Sequence, residues 1–257
     1  MSEIVVPIRE VSEPEWATRV DLAAAFRLVD LYGCSDLLAT HLSARIPGTE
    51  DHFLINPLGM LFDEITASCL VKVDIEGNLL SKSELGINPA GFTIHSAVHM
   101  GRPSAGCVIH THTAAGLGVA TQRDGLLPLT QMALQVLAQT GYHDYEGPAL
   151  DLGERERLIA DLGDHNILVL RNHGLLTVGQ TVSEAFMWMF RAERACRFQL
   201  SYQQTGATPV QISQAVQQIT IDRSKKAVSA SGHRPIGKTE WPALLRKLDR
   251  ENPGYDV

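Results

Sequence analysis

Short strand-like runs alternate with amphipathic helices along the whole chain, and several of those runs follow one another as hairpins; no other feature limits the fold so tightly. Ser12 caps a helix with Pro14 in its first turn and Glu15 closing a capping box, and Trp16, Val20, Ala23, Phe26 and Val29 keep helical spacing until Gly33. His41 to Ile46 and Phe53 to Ile55 alternate like paired strands around a Pro47-Gly48 turn. Val71 to Asp74 and Leu79-Leu80 read as a second hairpin around Glu76-Gly77-Asn78. Asn88-Pro89 opens a helix that runs to Met100. Cys107 to Thr111 reads as a strand, Ala114 to Ala120 as a small-residue helix, and Gln131 to Ala138 as a short helix. Further on come a helix from Glu154 to Leu162, strands at Ile167 to Leu170 and Leu175 to Val178, and a long helix from Ser183 to Tyr202. A final helix spans Glu240 to Asp249, after a Gln-rich stretch from Gln203 to Lys226 with weak periodicity.

The hairpins require a sheet that is at least partly antiparallel, so the α/β pattern predicts one α/β/α domain over residues 1–257. Its core is expected at about 16–203, with a C-terminal extension at 204–257. The 257 residues are enough to bury a core without cross-links. Cys34, Cys69, Cys107 and Cys196 form no CxxC pair and read as small buried hydrophobes of a reducing compartment. With 22 Lys+Arg against 29 Asp+Glu the net charge is -7, which argues against nucleic acid or an anionic membrane as partner. No apolar run reaches the roughly 18 residues of a membrane span, and the first ten residues do not resemble a signal peptide. The expected location is cytoplasmic.

Ten histidines are the unusual count, and their positions matter more than their number. His110 and His112 flank Thr111 at the end of a predicted strand, where a period of two turns both imidazoles to one face. His173 follows the strand Ile167 to Leu170 in a turn that can be carried over a neighbouring strand. Three imidazole nitrogens without a thiolate suit zinc, iron(II), manganese or cobalt, with coordination positions left open. His95 and His99, at i and i+4 on one helix, read as packing and hydrogen bonding beside such a site.

The runs Val108-Ile109-His110-Thr111-His112, Leu170-Arg171-Asn172-His173-Gly174-Leu175, His41-Leu42-Ser43-Ala44-Arg45 and Ile55-Asn56-Pro57-Leu58-Gly59 together resemble the class II aldolase/adducin family from about Trp16 to Gln203. The resemblance implies a three-layer α/β/α sandwich on a mostly antiparallel sheet, assembled as a homotetramer with sites between subunits. It also implies that His110, His112 and His173 bind a divalent metal, zinc before manganese, iron or cobalt. Aldolases of the family carry a catalytic Glu at the start of the helix before the HxH strand, and that position here is Gly91; Glu84 lies seven residues away. Phosphate-binding donors of the sugar-phosphate enzymes are replaced by His41, Leu58, Pro89 and Ala90. The motifs Asn88-Pro89-Ala90-Gly91-Phe92 and Tyr142-His143-Asp144-Tyr145-Glu146-Gly147 look adducin-like.

These departures predict a lyase-type enzyme, cleaving or decarboxylating a small nonphosphorylated carbonyl or carboxylate compound. Replacement acids or bases are sought among Tyr142, His143, Tyr145, Glu146 and Glu84. The 142–147 segment reads equally as a hydrogen-bonded turn at a subunit contact. His41, Arg45, Asn56, Gly59 and Arg171 are the candidate substrate-binding positions; the two arginines can fork onto a carboxylate or pair within the fold. Tyr255 is expected to reach a neighbouring subunit's site. The alternatives are a noncatalytic adducin-like binding module, with actin disfavoured as partner for want of a Lys-rich tail, and an iron-dependent oxygenase on the same three histidines.

Overall fold

The computed structural model describes residues 11–81, 83–147 and 153–257. The first ten residues, read above for a leader, lie outside the described residues. Among the described residues seven strands form one mixed sheet: β1 (His41–Arg45), β2 (His52–Ile55), β3 (Val71–Asp74), β4 (Cys107–Thr111), β5 (Thr140–His143), β6 (Ile167–Leu170) and β7 (Gly174–Gly179). Their spatial order is β3-β2-β1-β4-β7-β6-β5. Every neighbouring pair is antiparallel except β5 and β6, which run parallel.

Among the described residues there are eight helices, of which the last two pack on other helices: α1 (Glu13–Leu31), α2 (Pro89–Gly101), α3 (Ala114–Ala120), α4 (Gln131–Leu137), α5 (Glu154–Leu162), α6 (Val182–Gln203), α7 (Gln214–Val228) and α8 (Glu240–Glu251). Hydroxyl caps start several of them. Ser12, Thr113, Thr130 and Thr181 each accept a hydrogen bond from a backbone N–H three residues on, satisfying a donor that the helix itself cannot. The strands sort their side chains by parity. Cys107 and Ile109 of β4 face the core made with α1 and α6, while Val108 faces the second core made with α2 and α5. The result is the three-layer α/β/α sandwich.

Two elements differ from the sequence expectation. Leu79 makes a single bridge to Val73 and no second strand forms there, because the Asp74 carboxylate accepts from the backbone N–H groups of Glu76 and Asn78 and from the Asn78 amide, closing a side-chain-capped loop instead. Conversely, Thr140–His143 is a strand, paired in parallel with β6, where the sequence suggested only a turn. Gly141 hides it: a Cβ there would sit 2.6 Å from the Asp161 carbonyl oxygen, so the residue serves close packing and weakens the strand pattern at the same time.

Residues beyond α6 add α7, which buries none of its residues, and α8, which packs on α1. The Trp241 indole N–H donates to Asp21 Oδ1 at 2.9 Å. Arg27 of α1 spends its guanidinium on the carbonyl oxygens of Ile65, Pro253 and Gly254 and on Asn252 Oδ1. Ala67 and Ser68 donate backbone hydrogen bonds to the carbonyls of Tyr255 and Val257, so the last residues lie against the first helix. Tyr255 is buried there with its hydroxyl on Asp249, and does not extend away as the sequence reading expected.

Candidate metal centre

Strand geometry delivers the three histidines. His110 shares the face of Val108, and His112 follows one residue beyond β4 on that same face. Thr111 pairs with Leu175 across the β4–β7 ladder, so the residues just before Leu175 come alongside His112. The turn carrying His173 places Asn172 at φ 58, a left-handed conformation that asparagine tolerates better than most residues. Gly174 must be small, since a Cβ would stand 2.4 Å from the Thr111 carbonyl oxygen. One nitrogen from each of His110, His112 and His173 lies within 4.8 Å of the other two.

Their hydrogen bonds aim the rings. His110 Nδ1–H donates to the Leu175 carbonyl at 3.0 Å, and His112 Nδ1–H donates to Asp36 Oδ2 at 3.1 Å. Both Nε2 atoms are thereby left with lone pairs, yet they face each other at 2.8 Å. Two lone pairs that close require a proton or a cation between them. A proton is disfavoured at His110, which burial and the surrounding histidines hold well below the ordinary imidazole range. His173 is pushed down to about 4, chiefly by burial and then by His112 and His143. The donor set therefore fits a divalent ion, with Asp36 and the Leu175 carbonyl as the partners that orient its ligands. Asp36 was not singled out from sequence, and nothing in its local pattern marks it.

Behind this trio lies a second set of three. His41 is the cross-strand partner of His110, with ring centroids 5.1 Å apart. His41 Nδ1 is 2.8 Å from His95 Nε2, Ser43 Oγ is 2.6 Å from His95 Nδ1 and 2.8 Å from His99 Nε2, and His99 Nδ1 is 3.2 Å from the Ala105 carbonyl oxygen. His41, His95 and His99 are buried, as is Ser43. The Gly91 departure now has a physical reason: a Cβ on Gly91 would lie 2.5 Å from His41 Cδ2 and 2.8 Å from His41 Nε2. The His41 imidazole fills the space a side chain at 91 would need.

The remaining candidates scatter. Arg45 is spent on the carbonyls of Glu50, His99 and Ala105, and Arg171 on those of Gln122 and Arg123 while stacking over the Tyr142 ring. Neither guanidinium is brought to the histidines as a free fork. Tyr142 packs on the opposite face of the sheet, its hydroxyl accepting from the Leu126 N–H. His143 is held between Asp161 Oδ2 at 2.8 Å and Glu154 Oε1 at 3.2 Å. Glu146 pairs with Arg157, and Glu84 is exposed in the bend before α2. Asn56 is buried with Oδ1 unpartnered, and Gly59 turns the following loop at φ 103. Only Tyr145 of the 142–147 segment turns its ring toward the trio: it is 55% exposed, with its ring 6.5 Å from that of His173.

A layered sheet with three histidines converging on one point defines a class of α/β/α proteins with a candidate metal site. Residues 20–200 match the family described as Class II Aldolase and Adducin N-terminal domain, and the chain belongs to that family. A Caulobacter vibrioides protein named "Putative aldolase class 2 protein" is 55% identical over 246 residues, covering 96% of this chain and 94% of its own. Rat alpha-adducin is 40% identical across 92% of this chain, which corresponds to 33% of alpha-adducin. An aldolase II superfamily protein from Pseudomonas syringae superposes with a TM-score of 0.90 at 45% identity, covering 98% of this chain and 100% of that one. L-fuculose 1-phosphate aldolase from Glaciozyma antarctica gives 0.78 at 27% identity, covering 92% and 90%. Among the described residues no helix is long and apolar enough to cross a membrane.

Proposed function

We propose that the protein is a divalent-metal-dependent enzyme of lyase type, cleaving a carbon–carbon bond in, or decarboxylating, a small carbonyl or carboxylate compound that carries no phosphate. The observation that supports it is the pair of Nε2 lone pairs, from His110 and His112, facing each other at 2.8 Å while each Nδ1 is tied to an acceptor oxygen. Zinc is the metal that such an all-imidazole set suits first. A bound divalent ion supplies Lewis acidity toward a carbonyl or carboxylate oxygen. His110, His112 and His173 hold it as neutral imidazoles, so no proton has to be displaced from His110 or His173 near neutral pH. In this reading Tyr145, exposed beside His173, hands a proton to a leaving group, and Asn56 offers an unused amide oxygen. Loss of the phosphate donors at positions 58, 89 and 90, with a histidine at 41, separates this substrate class from that of the sugar-phosphate relatives.

The working unit in this reading is a homotetramer in the cytoplasm. Metal analysis of the purified protein tests the enzyme reading: about one divalent ion per chain is expected in the native protein and a loss of it in His110→Ala. A native protein free of metal, with His110→Ala unchanged in stability, would end it. The similarity to alpha-adducin supports one rival, a noncatalytic binding module. Actin cosedimentation of the native chain that persists in His110→Ala would favour that rival.

A further inference from the structure

The series His41, His95, Ser43, His99 ends on a backbone carbonyl, and that end fixes every proton within it. The Ala105 oxygen can only accept, so His99 Nδ1, 3.2 Å away, carries a hydrogen and donates it. In a neutral ring the His99 Nε2 then keeps a lone pair, and the Ser43 hydroxyl at 2.8 Å donates to it. With its one hydrogen spent, Ser43 Oγ accepts from His95 Nδ1–H at 2.6 Å. His95 Nε2 is left as an acceptor, and His41 Nδ1–H donates to it at 2.8 Å. All three imidazoles are buried, where an uncompensated charge is costly, and the run of partners matches one hydrogen per ring, the neutral form.

His41 therefore finishes with a lone pair on Nε2, an atom without a hydrogen-bond partner among the described residues. It lies between the first turn of α2, at Gly91, and the ring of His110. We propose that His41 presents this lone pair to the metal site as a hydrogen-bond acceptor and so selects a substrate hydroxyl over a phosphate. The oxygens of a phosphate ester dianion, fully ionised above its second pKa of about 6, offer only lone pairs and are repelled by an acceptor, whereas a hydroxyl donates to it. His41 stands where the resemblance to the sugar-phosphate enzymes expects an Asn donor, so the histidine reverses the polarity of that position. His95, Ser43 and His99 are positioning residues: they act on substrate only through the tautomer of His41. The selection of a substrate hydroxyl rests on the enzyme reading above, while the tautomer does not.

Nitrogen-15 NMR of the histidine rings in the zinc-loaded full-length protein tests both parts, with His41 identified by its loss in His41→Gln. The expected spectrum shows His41 protonated at Nδ1 and bare at Nε2. A hydrogen on His41 Nε2 in the native protein overturns the proposal whatever the metal site does. Ser43→Ala removes the donor that sets the direction, and an Nε2–H form of His41 is then expected to appear. An unchanged His41 pattern in a folded Ser43→Ala protein overturns the relay. If that variant does not fold, the native pattern still decides. Hydroxyacetone as a probe is expected to move the His41 Nε2 resonance while methyl phosphate at about pH 8, a dianion with no donor, leaves it in place. No response to hydroxyacetone, or an equal response to methyl phosphate, overturns the selection of a hydroxyl.

Discussion

Six histidines lie within one corner of the sandwich, three at the open end of β4 and the β6–β7 turn, and three behind them against α2. In the outer trio, His110 and His112 have their Nδ1 atoms tied down and their Nε2 lone pairs turned on one another. In the inner set, every donor meets an acceptor until the series runs out at His41. The same side chain thus does two jobs, set by what its second nitrogen finds. Where a carbonyl or carboxylate pins Nδ1 and leaves Nε2 unmatched, the imidazole is available as a ligand. Where both nitrogens of a ring are matched inside the core, as in His95 and His99, it is a fixed wire.

That contrast can be broken most severely at the outer trio. Replacing His110 by Ala is expected to weaken zinc binding on the order of 10³-fold, a ligand's share of a typical site's binding energy; competition with a chelator measures it. Acid acts next, and on the inner set. His99 is held at about 3, below its ordinary 6.5, so protons bind the unfolded chain first as pH falls. Stability attributable to its burial is fully present above about 6.5 and is lost between there and about 3, by on the order of 4 kcal/mol for this one fully sealed ring. Urea unfolding of the metal-free protein across that window checks the sign, and a flat profile would contradict the sealed arrangement.

Smaller effects sharpen the boundary between the two sets. Restoring a carboxylate by Gly91→Glu is expected to cost about 3 kcal/mol, because His41 already occupies the space. Adding His41→Ala should recover most of that loss, and a thermal-denaturation double-mutant cycle measures the coupling. Asp36→Asn removes charge from the acceptor that orients His112 and should weaken zinc by roughly 10-fold to 100-fold, without altering the His95 and His99 resonances. Least affected should be Tyr142→Phe, which loses one hydrogen bond to Leu126 on the far side of the sheet. About 1 kcal/mol of stability should go and zinc affinity should stay as it was.

Much of the outer trio could be read in advance. An HxH at a strand end obeys a period of two, and the family resemblance tied the Arg-Asn-His-Gly turn after β6 to it. The helices with hydroxyl caps were equally plain. The inner set was legible only in part: His95 and His99 were expected to pack and hydrogen-bond beside the site, as they do, but their match to His41 and Ser43 is long-range. His41 and Ser43 alternate on β1, His95 and His99 repeat on α2, and neither half shows a partner until the strand and the helix are stacked. The signal was present in two departures read separately: a small residue at 91 and a large one at 41 are complementary. Arg45 and Arg171 failed as free forks for a similar reason, since sequence does not show which buried carbonyls await a donor. Asp36 reaches His112 across 76 residues, with no periodic pattern to announce it.

The guanidinium of Arg27 has a consequence in time as well as in space. Chain ends ordinarily fray first and exchange their amide hydrogens fastest. Here the carbonyls of Ile65, Pro253 and Gly254 converge on one buried side chain of the first helix, and the amides of Ala67 and Ser68 close on Tyr255 and Val257. The final residues are stitched into the same cooperative unit as α1. Exchange at Ala67 and Ser68 should therefore keep pace with the interior of that helix, so that the end of the chain behaves as one of its slow parts.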